Sequence, residues 1–170
     1  MNILNLNNLK LKTFTEQNAE DYCLLNNINP LNIIELYLSS NELTDISGIK
    51  LFKNLKELYL SNNKLTDISG VNLFKNLERL DISDNHITDI KLYNLTKLKV
   101  LDISGNKIKD ISFINNLSKL GVLYIINSEL ESNQIQYINN LKNLKELWCG
   151  NGFKDMSVLY KLKKNIKIFK

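Results

Sequence analysis

Leu55–Lys56–Glu57–Leu58–Tyr59–Leu60–Ser61–Asn62–Asn63–Lys64–Leu65 has the form L-x-x-L-x-L-x-x-N-x-L, and the chain repeats it. The same frame starts again at Ile33, Leu77 and Leu98, and its asparagine recurs at Asn41, Asn63, Asn85 and Asn106. These asparagines are 22, 22 and 21 residues apart (41 to 63, 63 to 85, 85 to 106). A period in this range marks a stacked repeat architecture, in which each unit buries its apolar face only against its neighbours.

Each frame divides into two halves. Leu58 and Leu60 alternate with Glu57, Tyr59 and Ser61, the period-two pattern of a strand with one buried face. The asparagine then ends the strand, with its amide turned inward to satisfy loop backbone groups that would cost ~1–3 kcal/mol each if buried unpaired. Stacking places these amides in a ladder. Asn62 is expected to point outward and to tolerate leucine. The second half reads Thr44–Asp45–Ile46–Ser47–Gly48, Thr66–Asp67–Ile68–Ser69–Gly70, Thr88–Asp89–Ile90 and Lys109–Asp110–Ile111–Ser112. Its apolar residues recur every third position (Ile46, Ile49, Phe52; Ile68, Val71, Phe74), which suits 3-10 turns better than α-helices. Asp45, Asp67, Asp89 and Asp110 precede these turns as caps rather than as a metal-binding row.

The ends depart from the frame. Leu6, Leu9 and Leu11 read as one more strand face. Thr13–Phe14–Thr15–Glu16 has capping-box spacing and opens an amphipathic helix to about Ile28 that buries Phe14, Tyr22, Leu25 and Ile28. The repeat from Leu120 carries Ser128 at the asparagine position and runs 24 residues to Leu144 (120 to 144), and the next loses one residue before Asn151. Asn165–Ile166–Lys167–Ile168–Phe169 reads as a last strand. Lys163, Lys164 and Lys170 flank it and discourage strand addition at the open edge.

The pattern L-x-x-L-x-L-x-x-N-x-L-x-D-I at 22-residue spacing resembles the internalin-type class of leucine-rich repeats, which also includes the leucine-rich regulatory subunit of protein phosphatase 1. The match is strong over 33–119 and looser over 120–162, and 1–32 follow no pattern of that class. The resemblance implies a curved solenoid with parallel strands on the concave face; with the period-three 3-10 turns on the convex face and the N-terminal helix as a cap, the expected fold is an α/β solenoid. The resemblance also implies protein recognition as the task. The expected layout is a single domain, 1–170, with a cap of strand and helix (1–32), about six repeats (33–162) and a terminal edge strand (163–170).

The variable strand positions define the concave surface. Its central row reads Tyr37, Tyr59, Asp81, Asp102, Tyr124, Trp148. The row two positions earlier is Glu35, Glu57, Arg79, Val100, Val122, Glu146, and the row two later is Ser39, Ser61, Ser83, Ser104, Ile126, Gly150. Eight strands ~4.8 Å apart span ~34 Å, enough for an interface of ~800 Å² per partner. Tyr37, Tyr59, Arg79, Asp81, Asp102, Val122, Tyr124, Ile126 and Trp148 are the expected partner-binding residues. Tyr and Trp supply binding hot spots, and Trp148 is expected to be dispensable for folding. The Asp81–Asp102 pair should raise its own apparent pKa by like-charge repulsion and suit a basic group of the partner. The serine row is expected to have no role.

Other functions find little support. The only histidine, His86, lies in a loop near Asp84 and Asp89, and no phosphate-binding glycine motif or nucleophile–base spacing is present. The expectation is a non-enzymatic interaction module with no cofactor or metal, one version of which regulates an intracellular enzyme. Its partner is a protein with a basic or mixed basic and apolar surface. The chain itself is expected to be a monomer or weak homodimer. The alternatives are a self-assembling structural repeat protein and a nucleic-acid or anionic-surface binder acting through Lys50, Lys53, Lys75, Lys91, Lys97, Lys109 and Lys119. A net charge of +4 with acids interspersed disfavours the last. No stretch approaches the ~20 apolar residues of a membrane span, and the N-terminal residues from Met1 lack the pattern of a signal peptide. Cys23 and Cys149 fall at core positions as reduced thiols. The expected location is cytoplasmic, without contact to membrane or nucleic acid.

Overall fold

A computed structural model describes residues 2–163 and 165–170, so the edge lysine Lys164 and Met1 lie outside the described residues. Among these residues eight three-residue strands form one open parallel sheet in sequence order. They are β1 Ile3–Asn5, β2 Glu35–Tyr37, β3 Glu57–Tyr59, β4 Arg79–Asp81, β5 Val100–Asp102, β6 Val122–Tyr124, β7 Glu146–Trp148 and β8 Lys167–Phe169. The register is constant, with Leu36, Leu58, Leu80, Leu101, Leu123 and Leu147 aligned. All six point into one continuous core. After β2 to β5 the ladder asparagines Asn41, Asn63, Asn85 and Asn106 bind the turn that carries the chain back under the sheet.

The asparagine ladder is present as expected. Asn63 Oδ1 accepts from Leu43 N at 2.9 Å, and its Nδ2 donates to Leu38 O (2.9 Å), Leu60 O (3.0 Å) and Ser61 O (3.3 Å). Asn85 and Asn106 repeat this arrangement with Leu65 N and Ile87 N. Asn41 reaches the N-terminal segment, accepting from Leu9 N and Leu11 N and donating to Leu6 O. The segment 3–11 thus builds a first repeat, although Leu4 and Leu6 are its buried residues and Leu9 is exposed. Ser128 is too short to make a rung, and its buried Oγ has no partner among the described residues.

The residue before each rung has a property that the frame does not announce. Ser40, Asn62, Asp84 and Gly105, and Asn127 before the failed rung at Ser128, all have φ between 51° and 63°. This is the left-handed region, where Asn, Asp and Gly are tolerated best and bulky side chains are strained. Asn62 is exposed, yet leucine there would be strained, contrary to the expected tolerance.

The convex side is built from 3-10 turns at Ser47–Leu51, Ser69–Leu73, Ser112–Asn116 and Met156–Lys161. Asp45, Asp67 and Asp110 accept from the backbone N–H two residues on, at Ser47, Ser69 and Ser112. Asp89 does not cap, since its 21-residue repeat has no room for a turn. The extended segment there is fastened instead by buried Asn72, which donates to Lys91 O (2.7 Å) and accepts from Tyr93 N (3.1 Å). The 24-residue repeat has room for a short α-helix, Ile135–Asn140, preceded by buried Gln134, which accepts from Ile111 N.

Helix α1 spans Glu16–Leu25 and is capped by Thr15 and Asn18, two residues beyond the box read from Thr13 and Glu16. It buries Ala19 and Cys23 against the first convex turn, with Phe14 stacked near Phe52 at 6.1 Å. Tyr22 and Ile28 are half-buried, whereas Leu25, expected inside, is 81% exposed. Gly48 lets this segment close on the repeat: its N–H donates to Phe14 O at 2.7 Å. Among the described residues no helix is long and apolar enough to cross a membrane.

Candidate functional site

The constant register decides how the concave side chains meet. Residues in one slot of parallel neighbours lie one strand spacing apart, ~4.8 Å, which is also a comfortable distance between stacked rings. Tyr37 and Tyr59 accordingly stack with centroids 4.4 Å apart and planes 6° from parallel. Tyr124 and Trp148 stack at 5.5 Å, and Trp148 and Phe169 at 4.0 Å. Phe169, absent from the expected set, is therefore a third ring of the C-terminal stack, brought there because β8 pairs Trp148 with Phe169.

The outer row holds the rings in place. Tyr37 Oη donates to Glu35 at 3.0 Å, Tyr59 Oη to Glu57, and Trp148 Nε1 to Glu146 at 3.3 Å. An E-x-aromatic spacing places both side chains on one face of a strand, two residues apart. Burial, reinforced by the glutamate acceptors, pushes the hydroxyls of Tyr37 and Tyr59 above the ordinary tyrosine pKa. The guanidinium of Arg79 lies over Tyr59, its carbon 5.5 Å from the ring centroid.

All nine expected residues share this face. Tyr37, Tyr59, Arg79, Asp81, Asp102, Val122, Tyr124 and Trp148 are half-buried on β2 to β7, and Ile126 follows two residues after Tyr124. Trp148, however, has a ring on each side and an engaged indole N–H. Removing it would cost two stacking contacts of ~0.5–1.5 kcal/mol each, so its truncation is expected to lower stability as well as any binding.

Asp81 and Asp102 occupy one slot on β4 and β5. Asp81 Oδ1 accepts from Ser83 N (3.0 Å) and Ser83 Oγ (2.7 Å), and Asp102 Oδ1 from Ser104 N (2.9 Å). The serine row is thus engaged rather than idle: Ser104 Oγ also accepts from Ile126 N, and Ser61 Oγ donates to Ser39 Oγ. Partial burial pushes the carboxyl of Asp102 up from the ordinary aspartate value. The Ser104 bonds oppose that shift, and the Asp81 charge adds to it less than burial does. The repulsion expected to dominate is therefore a lesser cause. A carboxylate whose folded pKa is raised binds more protons folded than unfolded, so its ionisation costs stability as pH rises through that pKa.

His86 is exposed, and among the described residues no cluster of three His, Cys, Asp or Glu side chains could hold a metal. Among the described residues three of the seven convex lysines have partners: Lys50 pairs with Glu16 at 2.6 Å, Lys91 with Asp89 at 3.8 Å, and Lys97 donates to Asn76.

A family model described as leucine-rich repeats (2 copies) matches residues 31–73, 75–116 and 96–134, together more than half of the chain. Solved structures of similar shape include an internalin, inlF, from Listeria monocytogenes, with 28% identity and a TM-score of 0.67 over 96% of this chain and 57% of that one. The internalin C2, inlC2, of the same organism is 26% identical, with a TM-score of 0.68 over 99% of this chain and 79% of that one. The functional domain of InlJ, also from Listeria monocytogenes and described as including a cysteine ladder, is 25% identical, with a TM-score of 0.68 over 86% of this chain and 29% of that one. The chain thus spans little more than half the length of the first of these. No curated protein matches the sequence.

Proposed function

This chain belongs to the leucine-rich repeat family, and from that premise we propose that it is a non-enzymatic interaction module that seats a partner protein on its concave face. The observation that carries the reading is the central row itself. Two ring stacks, Tyr37–Tyr59 and Tyr124–Trp148–Phe169, flank two aspartates in one register. Apolar anchors beside fixed charge are what protein interfaces use at their centres. The face is acidic: Glu35, Glu57, Asp81, Asp102 and Glu146 stand on it with Arg79 and Lys167, although the whole chain carries +4. A basic or mixed basic and apolar partner surface fits it. Regulation of an intracellular enzyme is the narrower version, with Cys23 and Cys149 kept as free buried thiols. The interspersed acids, two of them paired with Lys50 and Lys91, favour a solvated convex surface over a nucleic-acid site.

Asp81→Asn with Asp102→Asn tests the charge component. Asparagine keeps Oδ1 as the acceptor for Ser83 and Ser104, so the fold is retained. Stability at neutral pH should rise, because the neutral side chain removes the cost of ionising Asp102 in the folded state. Association with the partner should slow, and its salt dependence should flatten. Stopped-flow rates at low and high salt would show this. Rates equal to those of the unmodified protein at both salts would remove the aspartates from the interface.

A further inference from the structure

The two ring stacks end differently where they face the aspartates. One face of Tyr59 is taken by Tyr37 and the other by Arg79, whose guanidinium carbon is 5.5 Å from the ring centroid. Tyr124 is covered by Trp148 on one face only. Its other face looks along the register toward β5, where the paired residue is Asp102. Among the described residues no cation stands to Tyr124 as Arg79 stands to Tyr59.

The slot at this end has a defined shape and charge. Tyr59 on β3 and Tyr124 on β6 are three strand spacings apart, ~14 Å. Between them the central row carries only the short side chains of Asp81 and Asp102, so the surface sinks there. Val100 and Val122 border it on one side, and Ser83 and Ser104 on the other. Both aspartates take their serine hydrogen bonds on Oδ1, which leaves Oδ2 for a ligand. Two carboxylates face the slot against the single charge of Arg79, which is drawn toward Tyr59.

Resting on the concave-face reading above, we propose that the slot formed by Tyr124, Asp102 and Asp81 takes one arginine side chain of a partner polypeptide, its guanidinium stacked on Tyr124 and its N–H groups directed at Asp102 Oδ2. The chain already sets a guanidinium over a ring of this row, Arg79 over Tyr59 at 5.5 Å. A planar guanidinium can lie flat on a ring while its edge donates to a carboxylate beside that ring. An ammonium can satisfy the charge but has no plane to stack, so the slot discriminates arginine from lysine by geometry. Tyr124, with a free ring face, and Asp102, with a free oxygen, are the specificity residues. Trp148 supports Tyr124 from behind.

The test uses the full chain and two small probes, N-acetyl-arginine methylamide and N-acetyl-lysine methylamide, titrated while NMR follows the Tyr124 ring protons and the Asp102 carboxyl carbon. The arginine probe should shift both signals saturably. The lysine probe should need a concentration at least about threefold higher for half-saturation, the scale of a cation–ring contact at a partly exposed site. Asp102→Asn should raise the arginine half-saturation by about tenfold, the loss of one charge-assisted hydrogen bond. Tyr124→Leu should abolish the preference for arginine, with the amide spectrum confirming that both variants fold. Equal response to the two probes, or shifts confined to Tyr37 and Tyr59, would overturn the assignment. Absence of any saturable response would also overturn it, while leaving the broader concave-face reading to its own partner-binding test.

Discussion

Asn63→Leu is expected to lower the stability of the free protein by about 3 kcal/mol, the scale of one orphaned buried donor plus the hydrogen bonds lost with it. The carbonyls that Asn63 serves are not all stranded by the change. Leu38 O keeps the amide of Asn41, and Leu60 O keeps that of Asn85. Leu43 N, whose acceptor is Asn63 Oδ1, is left without one inside the core, and leucine cannot replace it. At this chain length the loss corresponds to roughly 6–12 °C in Tm. The control must respect the backbone. Asn62 has φ +54, so leucine there would add ~1–2 kcal/mol of left-handed strain. Asn62→Gly avoids that strain and should stay within about 0.5 kcal/mol. Equal melting temperatures for Asn63→Leu and Asn62→Gly would refute the ladder.

Gly48→Ala should be nearly as damaging, by about 2–3 kcal/mol, the upper range for forcing a methyl into closed packing. A methyl on Gly48 would overlap Thr15 O and lie 2.7 Å from Phe14 O, both backbone atoms unable to rotate away. The same consensus glycine one repeat later, Gly70, has only Ile49 Cδ1 at 3.9 Å. Gly70→Ala should therefore be neutral, or stabilising by up to about 1 kcal/mol through the unfolded chain. Denaturant unfolding gives the two values. Hydrogen exchange in the Gly48→Ala protein should be faster over α1 than over β3 to β6, because the clash falls where the helix segment docks. Identical stability for the two alanine variants would mean that this segment does not pack on the first convex turn.

Much of this architecture was legible because its causes are local or strictly periodic. The alternation around Leu58 and Leu60, the inward asparagines and the period-three residues Ile46, Ile49 and Phe52 each declare their environment within one repeat. The stacking of Tyr37 on Tyr59 also follows from their spacing, since equal slots in adjacent parallel strands meet. Other features depend on partners some twenty residues away. Asn72 lies in an ordinary-looking turn, and only the shortened next repeat explains why its amide is buried against Lys91 and Tyr93. Gln134 reaches Ile111 N for a similar reason. The left-handed residue before each rung did leave a signal: Ser40, Asn62, Asp84, Gly105 and Asn127 are small, amide, acid or glycine, with no β-branched or aromatic residue among them. Phe169 was missed in the concave row because the last strand follows an irregular repeat and its register could not be counted forward from Trp148.

On the proposed reading, one set of concave side chains serves both structure and recognition. Rings that stack on neighbouring strands leave their edges, and in Tyr124 one face, on the surface where the proposed partner would seat. The same glutamates that hold the tyrosine hydroxyls give the face its negative charge. This sharing explains why Tyr124 is a cleaner probe of binding than Trp148. Tyr124 ends its stack, whereas Trp148 sits in the middle of three rings.

The central claim, that the partner is held by the concave face, is tested most directly by measuring partner affinity for two variants side by side. The first carries Tyr124→Ala with Asp102→Asn on the sheet face. The second carries Lys53→Ala, Lys75→Ala and Lys119→Ala on the convex side. With a partner isolated on the unmodified chain from its native cells, the concave variant should bind at least about 2 kcal/mol more weakly, as loss of a central anchor does. The convex variant should bind within about 0.5 kcal/mol of the unmodified chain. Undiminished binding by the concave variant together with loss in the convex one would contradict the account.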